Sequence, residues 1–212
     1  MIVIGLTGSI GMGKTTTARL FAEEGAAVWD ADAAVHDLYG PGGKAVEAVE
    51  AAFPGSTGLG GVDRIQLAAA LAERADGFQA LEAIVHPLVA EHRRAFLQRQ
   101  TDAGAAVVVL DIPLLFETGG DAFVDAVVVA TAPAAVQAER VLARPGMTRE
   151  RFDAIRARQT PDAEKRARAD FLVFTDRGLE AARVQVTDIL RTLHDAAWRS
   201  SRTLSKPDET SQ

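Results

Sequence analysis

Near its start the chain carries Gly8-Ser9-Ile10-Gly11-Met12-Gly13-Lys14-Thr15, which meets the phosphate-binding pattern G-x-x-x-x-G-K-[ST] at every fixed position. An apolar run, Ile2-Val3-Ile4-Gly5-Leu6, precedes it, and an amphipathic segment over residues 16–24 follows. Average residue usage gives a chance match in a chain of this length odds of about 1 in 150. Glycines let a backbone wrap closely round an anion in dihedrals barred to other residues. The inward-pointing N–H groups then form a nest for phosphate oxygens, and the helix that starts there adds its unpaired amides and positive dipole end. Lys14 is placed to reach the β- and γ-phosphates, and the Thr15 hydroxyl to ligate Mg²⁺. The loop specifies a nucleoside triphosphate and leaves the fate of its γ-phosphate open.

A strand–loop–helix opening predicts an α/β fold, and the rest of the chain repeats the alternation. Residues 26–29 read as a second strand, 105–110 and 124–130 as buried central strands, and 171–174 as a short last one. Helices are predicted over 44–52, 63–74, 77–100, 133–142 and 179–198, with Pro87 kinking or splitting the 77–100 segment and residues 54–61 forming a turn or mobile loop. Strands alternating with helices give a parallel sheet covered by helices. No internal repeat is visible. The 212 residues suit one domain with a sizeable core, and 48% hydrophobic with 25% charged residues is ordinary for a globular protein. No apolar run reaches the roughly 18 residues of a membrane span, and the chain enters a strand at once, without the basic region of a signal peptide. With no cysteine, disulfides and thiolate chemistry are excluded. A net charge of −6 argues against general nucleic-acid binding.

Four groups of residues stand out at predicted strand ends and helix breaks. Asp30-Ala31-Asp32 follows the second strand, where open α/β sheets bind ligands; either carboxylate can face a cleft, and either can cap the next helix. Asp111 closes a strand of aliphatic residues and suits the Mg²⁺ shell beside a phosphate loop. After it, Leu114, Leu115 and Phe116 are either contacts for a ligand or lid or a short buried turn. Residues 140–168 hold nine arginines and lysines, and a helix, the break Pro145-Gly146, a Thr148 cap and a second arginine-rich helix read as a hinged lid. A lone histidine such as His86 is most simply a partly buried, hydrogen-bonded residue, and His36, His86, His92 and His194 lack metal spacing.

The chain has no asparagine, so the Asn-Lys-x-Asp box of typical GTPases is absent, and the length is too small for a helicase or transporter motor. Small phosphotransferases remain, along with a nucleotide-sensing binding module in which the apolar turn would serve as a partner surface. Among the phosphotransferases the chain resembles the dephospho-coenzyme A kinase family. The resemblance rests on Gly5-Leu6-Thr7-Gly8, Asp30-Ala31-Asp32, His86-Pro87, Asp111-Ile112-Pro113-Leu114-Leu115-Phe116-Glu117, Gln137-Ala138-Glu139-Arg140, Arg156-Ala157-Arg158-Gln159 and Lys165-Arg166-Ala167-Arg168-Ala169-Asp170, in that order over about residues 2–195.

The resemblance implies a three-layer α/β/α nucleotide-kinase-like core of about residues 1–32, 104–140 and 168–198. A helical CoA-binding insertion (33–103), a lid (141–167) and a disordered tail (199–212) complete it. It also implies ATP-dependent phosphorylation of the ribose 3′-hydroxyl of dephospho-CoA, in the cytoplasm, with Mg²⁺ and with no nucleic-acid, membrane or obligate protein partner. Gly8, Ser9, Ile10, Gly11, Met12, Gly13, Lys14, Thr15 and Thr16 would hold the nucleotide, with Arg140 and Thr175. Thr175 stands where the family commonly has asparagine, near the adenine. Lys14, Asp32 and Arg140 would be catalytic, with Asp32 taking the hydroxyl proton; His86, Pro113, Leu115, Phe116 and Glu117 would line the acceptor site with Asp32. Thr15 would bind Mg²⁺ directly and Asp111 through water. Asp30 and Glu117 remain alternatives for the proton.

Overall fold

β-Branched residues without polar interruption favour strands buried on both faces, and they build the centre of this protein. In chain order the elements are β1 (Ile2–Thr7), α1 (Lys14–Glu23), β2 (Ala27–Asp30), α2 (Ala31–Tyr39), α3 (Val46–Ala52), β3 (Thr57–Gly58), β4 (Gly61–Val62), α4 (Arg64–Ala72), α5 (Gly77–Asp102), β5 (Val107–Asp111), β6 (Ala126–Thr131), α6 (Ala134–Leu142), α7 (Arg149–Ala157), α8 (Asp162–Arg168), β7 (Phe171–Phe174) and α9 (Leu179–His194). The computed structural model describes residues 1–195, 197, 198, 200 and 202.

Two compact units result: Met1–Trp29 with the described residues from Gln100 onward, and Asp30–Arg99. The first is built on a five-stranded sheet of order β2-β5-β1-β6-β7, in which the β5–β1, β1–β6 and β6–β7 pairings are parallel. Every residue of β5 and β6 is buried. One face of the sheet, through Ile4, Leu6, Val107, Val109 and Val128, packs on Leu20 and Phe21 of α1 and on Val186, Ile189 and Leu190 of α9. On the other face the turn after β5 folds back over β1, so that a Cβ at Gly5 would lie 2.8 Å from Leu115. α8 packs on β6. The three-layer arrangement expected from the sequence is therefore present.

The second unit has its own core of Leu38, Val49, Phe53, Leu67 and Leu71, with Tyr39, Val62, Ile84 and Leu88 packed against it. The boundaries differ from those expected: the insertion begins at Asp30 and ends at Arg99, which moves Asp32 out of the core and into the helical unit. The loop over 54–61 contains a small antiparallel pairing of β3 with β4. Pro87 does not split α5, which runs unbroken for 26 residues; the one ladder bond that Pro87 removes is a local loss, while Val85 and Phe96 stay buried on either side of it. The tail expected to be disordered from 199 is engaged at two points. The Ser200 hydroxyl donates to the Asp125 carbonyl and the Arg202 guanidinium pairs with Asp170. Residues 199, 201 and 203–212 lie outside the described residues.

Candidate phosphoryl-transfer site

The phosphate loop leaves β1 and ends in α1. Gly11 and Gly13 have φ of 78° and 86°, which glycine alone adopts without strain, and a Cβ at Gly8 would sit 2.7 Å from the Ala130 carbonyl oxygen. Gly13 caps α1 with no side-chain hydrogen bond, so the first-turn amides stay free for an anion. Thr15 and Thr16 are exposed at that end of the helix, whereas Ser9 and Met12 are buried. Met12 is fixed by its sulfur, which accepts from the Ala132 amide at 3.2 Å.

Lys14 and Asp111 form an ion pair at the mouth of the loop, with the Asp111 side chain only 2% exposed. An acidic strand end beside the loop lysine thus compensates its charge. Thr15 and Asp111 supply hard oxygen donors, and Mg²⁺ commonly takes one or two protein oxygens, substrate phosphates and several waters. The pair fits an ion that arrives with its nucleotide. Among the described residues no group of three or more His, Cys, Asp or Glu side chains could hold a metal.

Arg140 projects from α6 and donates to the Thr175 hydroxyl at 2.9 Å and to the Thr175 carbonyl at 2.7 Å. It is therefore half-buried and anchored beside the phosphate loop, not carried on the hinged segment. Thr175 in turn donates to the Met12 carbonyl at 2.9 Å, and a Cβ at Gly13 would lie 2.9 Å from the Thr175 side chain. Through these bonds Thr175, expected near the adenine, supports the loop. Two residues without a place in the sequence-derived site complete that support. Gln137 donates to the Ile10 carbonyl at 2.8 Å, and the Ile10 amide donates to Gln159 at 3.1 Å. Both glutamines lie within segments that carry the family resemblance, but nothing in their spacing marks them as partners of one residue's backbone.

The turn after β5 is compact. Gly120 N–H donates to the Leu115 carbonyl at 2.8 Å, and the Thr7 hydroxyl donates to the Pro113 carbonyl at 3.0 Å. Leu115 is fully buried and Phe116 nearly so, leaving Leu114 at 42% exposure as the apolar side chain that reaches solvent. Of the two readings of this turn, the buried one holds. Leu115 and Phe116 are spent on packing, Leu115 against Gly5 and Phe116 under the Arg168 guanidinium, 4.2 Å from the ring centre.

Glu117 is likewise committed. Its carboxylate pairs with Lys165 at 2.9 Å and accepts from the Thr160 amide at 2.8 Å. Desolvation pushes the Glu117 carboxyl up, but these bonds to its charged form outweigh it and hold the pKa below the ordinary value. Such a group is a poor proton acceptor. Lys165 itself is fully buried, unlike the other eight cations over 140–168. Of the other cations over 141–167, Arg149 and Arg156 pair with Asp153, whereas Arg144 and Arg158 are exposed and make no ion pair among the described residues. Thr148 caps α7 as expected, accepting from the Arg151 amide.

In the helical unit, the Asp30 side chain accepts from the Ala33 amide at 2.9 Å and is the cap of α2. Asp32, in the first turn of the same helix, is exposed and makes no hydrogen bond or ion pair among the described residues. His86 is exposed on α5 without a partner among the described residues, so the buried, hydrogen-bonded reading of that histidine does not hold.

Comparison with known proteins agrees with this geometry. A family profile described as dephospho-CoA kinase matches residues 2–180. Proteins named dephospho-CoA kinase from Nitrobacter winogradskyi and Mesorhizobium japonicum are each 58% identical to this chain, covering 90% and 91% of it and 94% and 97% of their own lengths. A crystal structure from Thermus thermophilus superposes with a TM-score of 0.75 at 34% identity over 90% of this chain and 96% of its own. The Campylobacter jejuni dephospho-CoA kinase, at 20% identity and a TM-score of 0.61 over 90% of this chain and 96% of its own, shares the fold. With a complete phosphate loop, an acidic strand end paired to the loop lysine and a family match over most of its length, the chain belongs to the dephospho-CoA kinase family.

Proposed function

We propose that the protein transfers the γ-phosphoryl group of ATP to the ribose 3′-hydroxyl of dephospho-CoA, giving coenzyme A and ADP, the last step of coenzyme A synthesis. The observation that carries this reading is the family match over residues 2–180 in a chain whose phosphate loop is intact. The hydroxyl oxygen attacks the γ-phosphorus, the bond to the β,γ-bridging oxygen breaks, and the hydroxyl proton leaves to a base. Asp30 is used as a helix cap and Glu117 is held ionised by Lys165. That leaves Asp32, a free exposed carboxylate, as the acceptor of the proton.

Lys14 exchanges Asp111 for the β- and γ-phosphates, and the loop amides hold the phosphate oxygens. Arg140, already oriented by Thr175, offsets charge on the transferring group. Thr15, with Asp111 through water, would hold Mg²⁺, which supplies charge neutralisation between the β- and γ-phosphates. His86 and Pro113, with Leu114 in place of the buried Leu115, are the side chains we assign to the acceptor. No helix among the described residues is long and apolar enough to cross a membrane. A net charge of −6 argues against general nucleic-acid binding, and we assign the protein small-molecule partners and a place in the cytoplasm as the family resemblance implies.

Labelled ATP offered with a panel of acceptors tests the reading. Label should pass to dephospho-CoA and ADP should form only when it is present. Transfer to a nucleoside monophosphate in its place would identify a different small kinase. ATP binding with no acceptor-dependent ADP formation and no transfer would favour a nucleotide-sensing module.

A further inference from the structure

Seven residues at the close of the lid, 159–165, make four fastenings within the sheet unit. Gln159 Oε1 accepts from the Ile10 amide in the phosphate loop at 3.1 Å. The Thr160 amide donates to Glu117 Oε1 at 2.8 Å. The Asp162 carboxylate accepts from the Thr131 hydroxyl at the end of β6, at 2.9 and 3.0 Å to its two oxygens. Lys165 Nζ lies 2.9 Å from Glu117 Oε1 and is fully buried. One short segment thus reaches the phosphate loop, a central strand end and the turn after β5.

The Lys165–Glu117 pair is the informative member, with Lys165 fully buried and the Glu117 side chain 16% exposed. Taking two charges out of water costs about as much as their attraction returns, and well-packed apolar side chains of similar volume usually do as well or better. A Lys–Glu pair in that place is therefore a poor device for stability alone. What it offers is one permitted register, because any slip of α8 against the turn would strand the buried Lys165 charge without its partner. Lys165, having no exposed surface, cannot itself touch a substrate. Gln159 shows the same logic at the other end: with Gln137 on the Ile10 carbonyl and Gln159 on its amide, both backbone polar groups of that residue are held by side chains.

We propose that residues 159–165 form a clasp that sets the phosphate loop and the turn after β5 in one register, Gln159 positioning Ile10 and Lys165 positioning Glu117. The proposal rests on reading the loop as the ATP site. It assigns Lys165 an influence on ATP affinity that contact with ATP could not produce. It also explains why Glu117, whose neighbours Pro113 and Leu114 are assigned to the acceptor, is tied down and not free to bind anything.

Four variants test it: Gln159→Leu, Lys165→Met, Glu117→Gln and the double Lys165→Met/Glu117→Gln. ATP affinity is measured by titration calorimetry well below each variant's melting temperature, and stability by thermal melts. Gln159→Leu should weaken ATP binding about fivefold, the worth of one ordinary hydrogen bond, with little change in melting temperature. Lys165→Met and Glu117→Gln should each lower the melting temperature and weaken ATP binding about fivefold or more. The double variant, free of stranded charge, should recover most of the melting temperature but not the ATP affinity. If either single lysine or glutamate variant fails to fold, the double variant and Gln159→Leu carry the test. Wild-type ATP affinity in Gln159→Leu or in the double variant would overturn the clasp. A wild-type protein that binds ATP but passes no phosphoryl group to dephospho-CoA would instead overturn the proposed reaction, leaving the affinity arms of this test intact.

Discussion

The two units treat their site charges in opposite ways. In the sheet unit each one is answered: Lys14 by Asp111, Arg140 by Thr175, Glu117 by Lys165. In the helical unit Asp32 and His86 stand exposed with no partner among the described residues. Dipoles and charges fixed before the substrate arrives need no reorganisation during reaction, and that is what a phosphate-handling loop requires. A proton acceptor has a different task. It must stay a usable base, and a carboxylate bound by a buried lysine is not one. On the proposed reaction, the held groups position and the unheld Asp32 takes the proton.

The sharpest break of that contrast comes at Asp32. Asp32→Asn should cut turnover at least about a hundredfold, the ordinary contribution of a general base, while ATP affinity and melting temperature stay near wild type because the side chain has no partner to lose. Single-turnover rates with thermal melts measure both. A variant with near-normal turnover would remove Asp32 from the chemistry, and a large fall in melting temperature would show that it is not unheld.

Arg140→Ala should behave as the held counterpart, lowering both rate and stability. Turnover should fall on the order of tenfold to a hundredfold, as transition-state charge loses a donor. Stability should fall by about 1–3 kcal/mol, since the Thr175 carbonyl loses its partner in a half-buried site. Arg140→Lys should recover little, because an ammonium cannot reproduce the fork that meets both the hydroxyl and the carbonyl of Thr175. A rate effect with no loss of stability would mean that the anchoring seen here is incidental.

Those two residues also mark how far the sequence could be read. The loop, the sheet and the acidic strand end follow from local patterns: glycines at fixed offsets and valine-rich runs closed by Asp111. Such signals live within a few residues of chain. Lys165 looked like one more cation on a basic helix, since burial depends on Glu117, 48 positions earlier in the chain. Gln137 and Gln159 meet at Ile10 from different segments, and no spacing announces that. The apolar stretch over Leu114, Leu115 and Phe116 showed that something was covered, but not whether ligand or protein covered it. Gly5 decides, because only the missing side chain lets Leu115 lie over β1. The unit boundary at Asp30 escaped for a similar reason: Asp30 is the last residue of β2 and the cap of α2 at once.

A smaller effect should appear in acid. The Glu117 carboxyl is held below its ordinary pKa in the fold, so its contribution to stability is complete above the unfolded value, about 4.3. That contribution is lost as pH falls through the lower folded value. Denaturant midpoints between pH 6 and pH 3 should therefore drop for the wild type in that window, and drop less for Lys165→Met/Glu117→Gln. Equal acid sensitivity in the two proteins would mean that Glu117 is not held as the structure has it.

The smallest expected effect separates two aspartates that sit two positions apart. Asp30 accepts the Ala33 amide and closes the first turn of α2, whereas Asp32 closes nothing. Asp30→Ala should cost about 1 kcal/mol, the usual worth of a cap, which in a domain of this size lowers the melting temperature by about 2–4 °C. Asp30→Ser should restore most of it, because a hydroxyl caps nearly as well as a carboxylate. Turnover should change far less in either variant than in Asp32→Asn, since the base itself is untouched. If Asp30→Ala instead loses turnover as steeply as Asp32→Asn while Asp30→Ser keeps the fold but not the rate, the proton goes to Asp30. The distinction between a held and an unheld carboxylate would then have failed at the point where the chemistry depends on it.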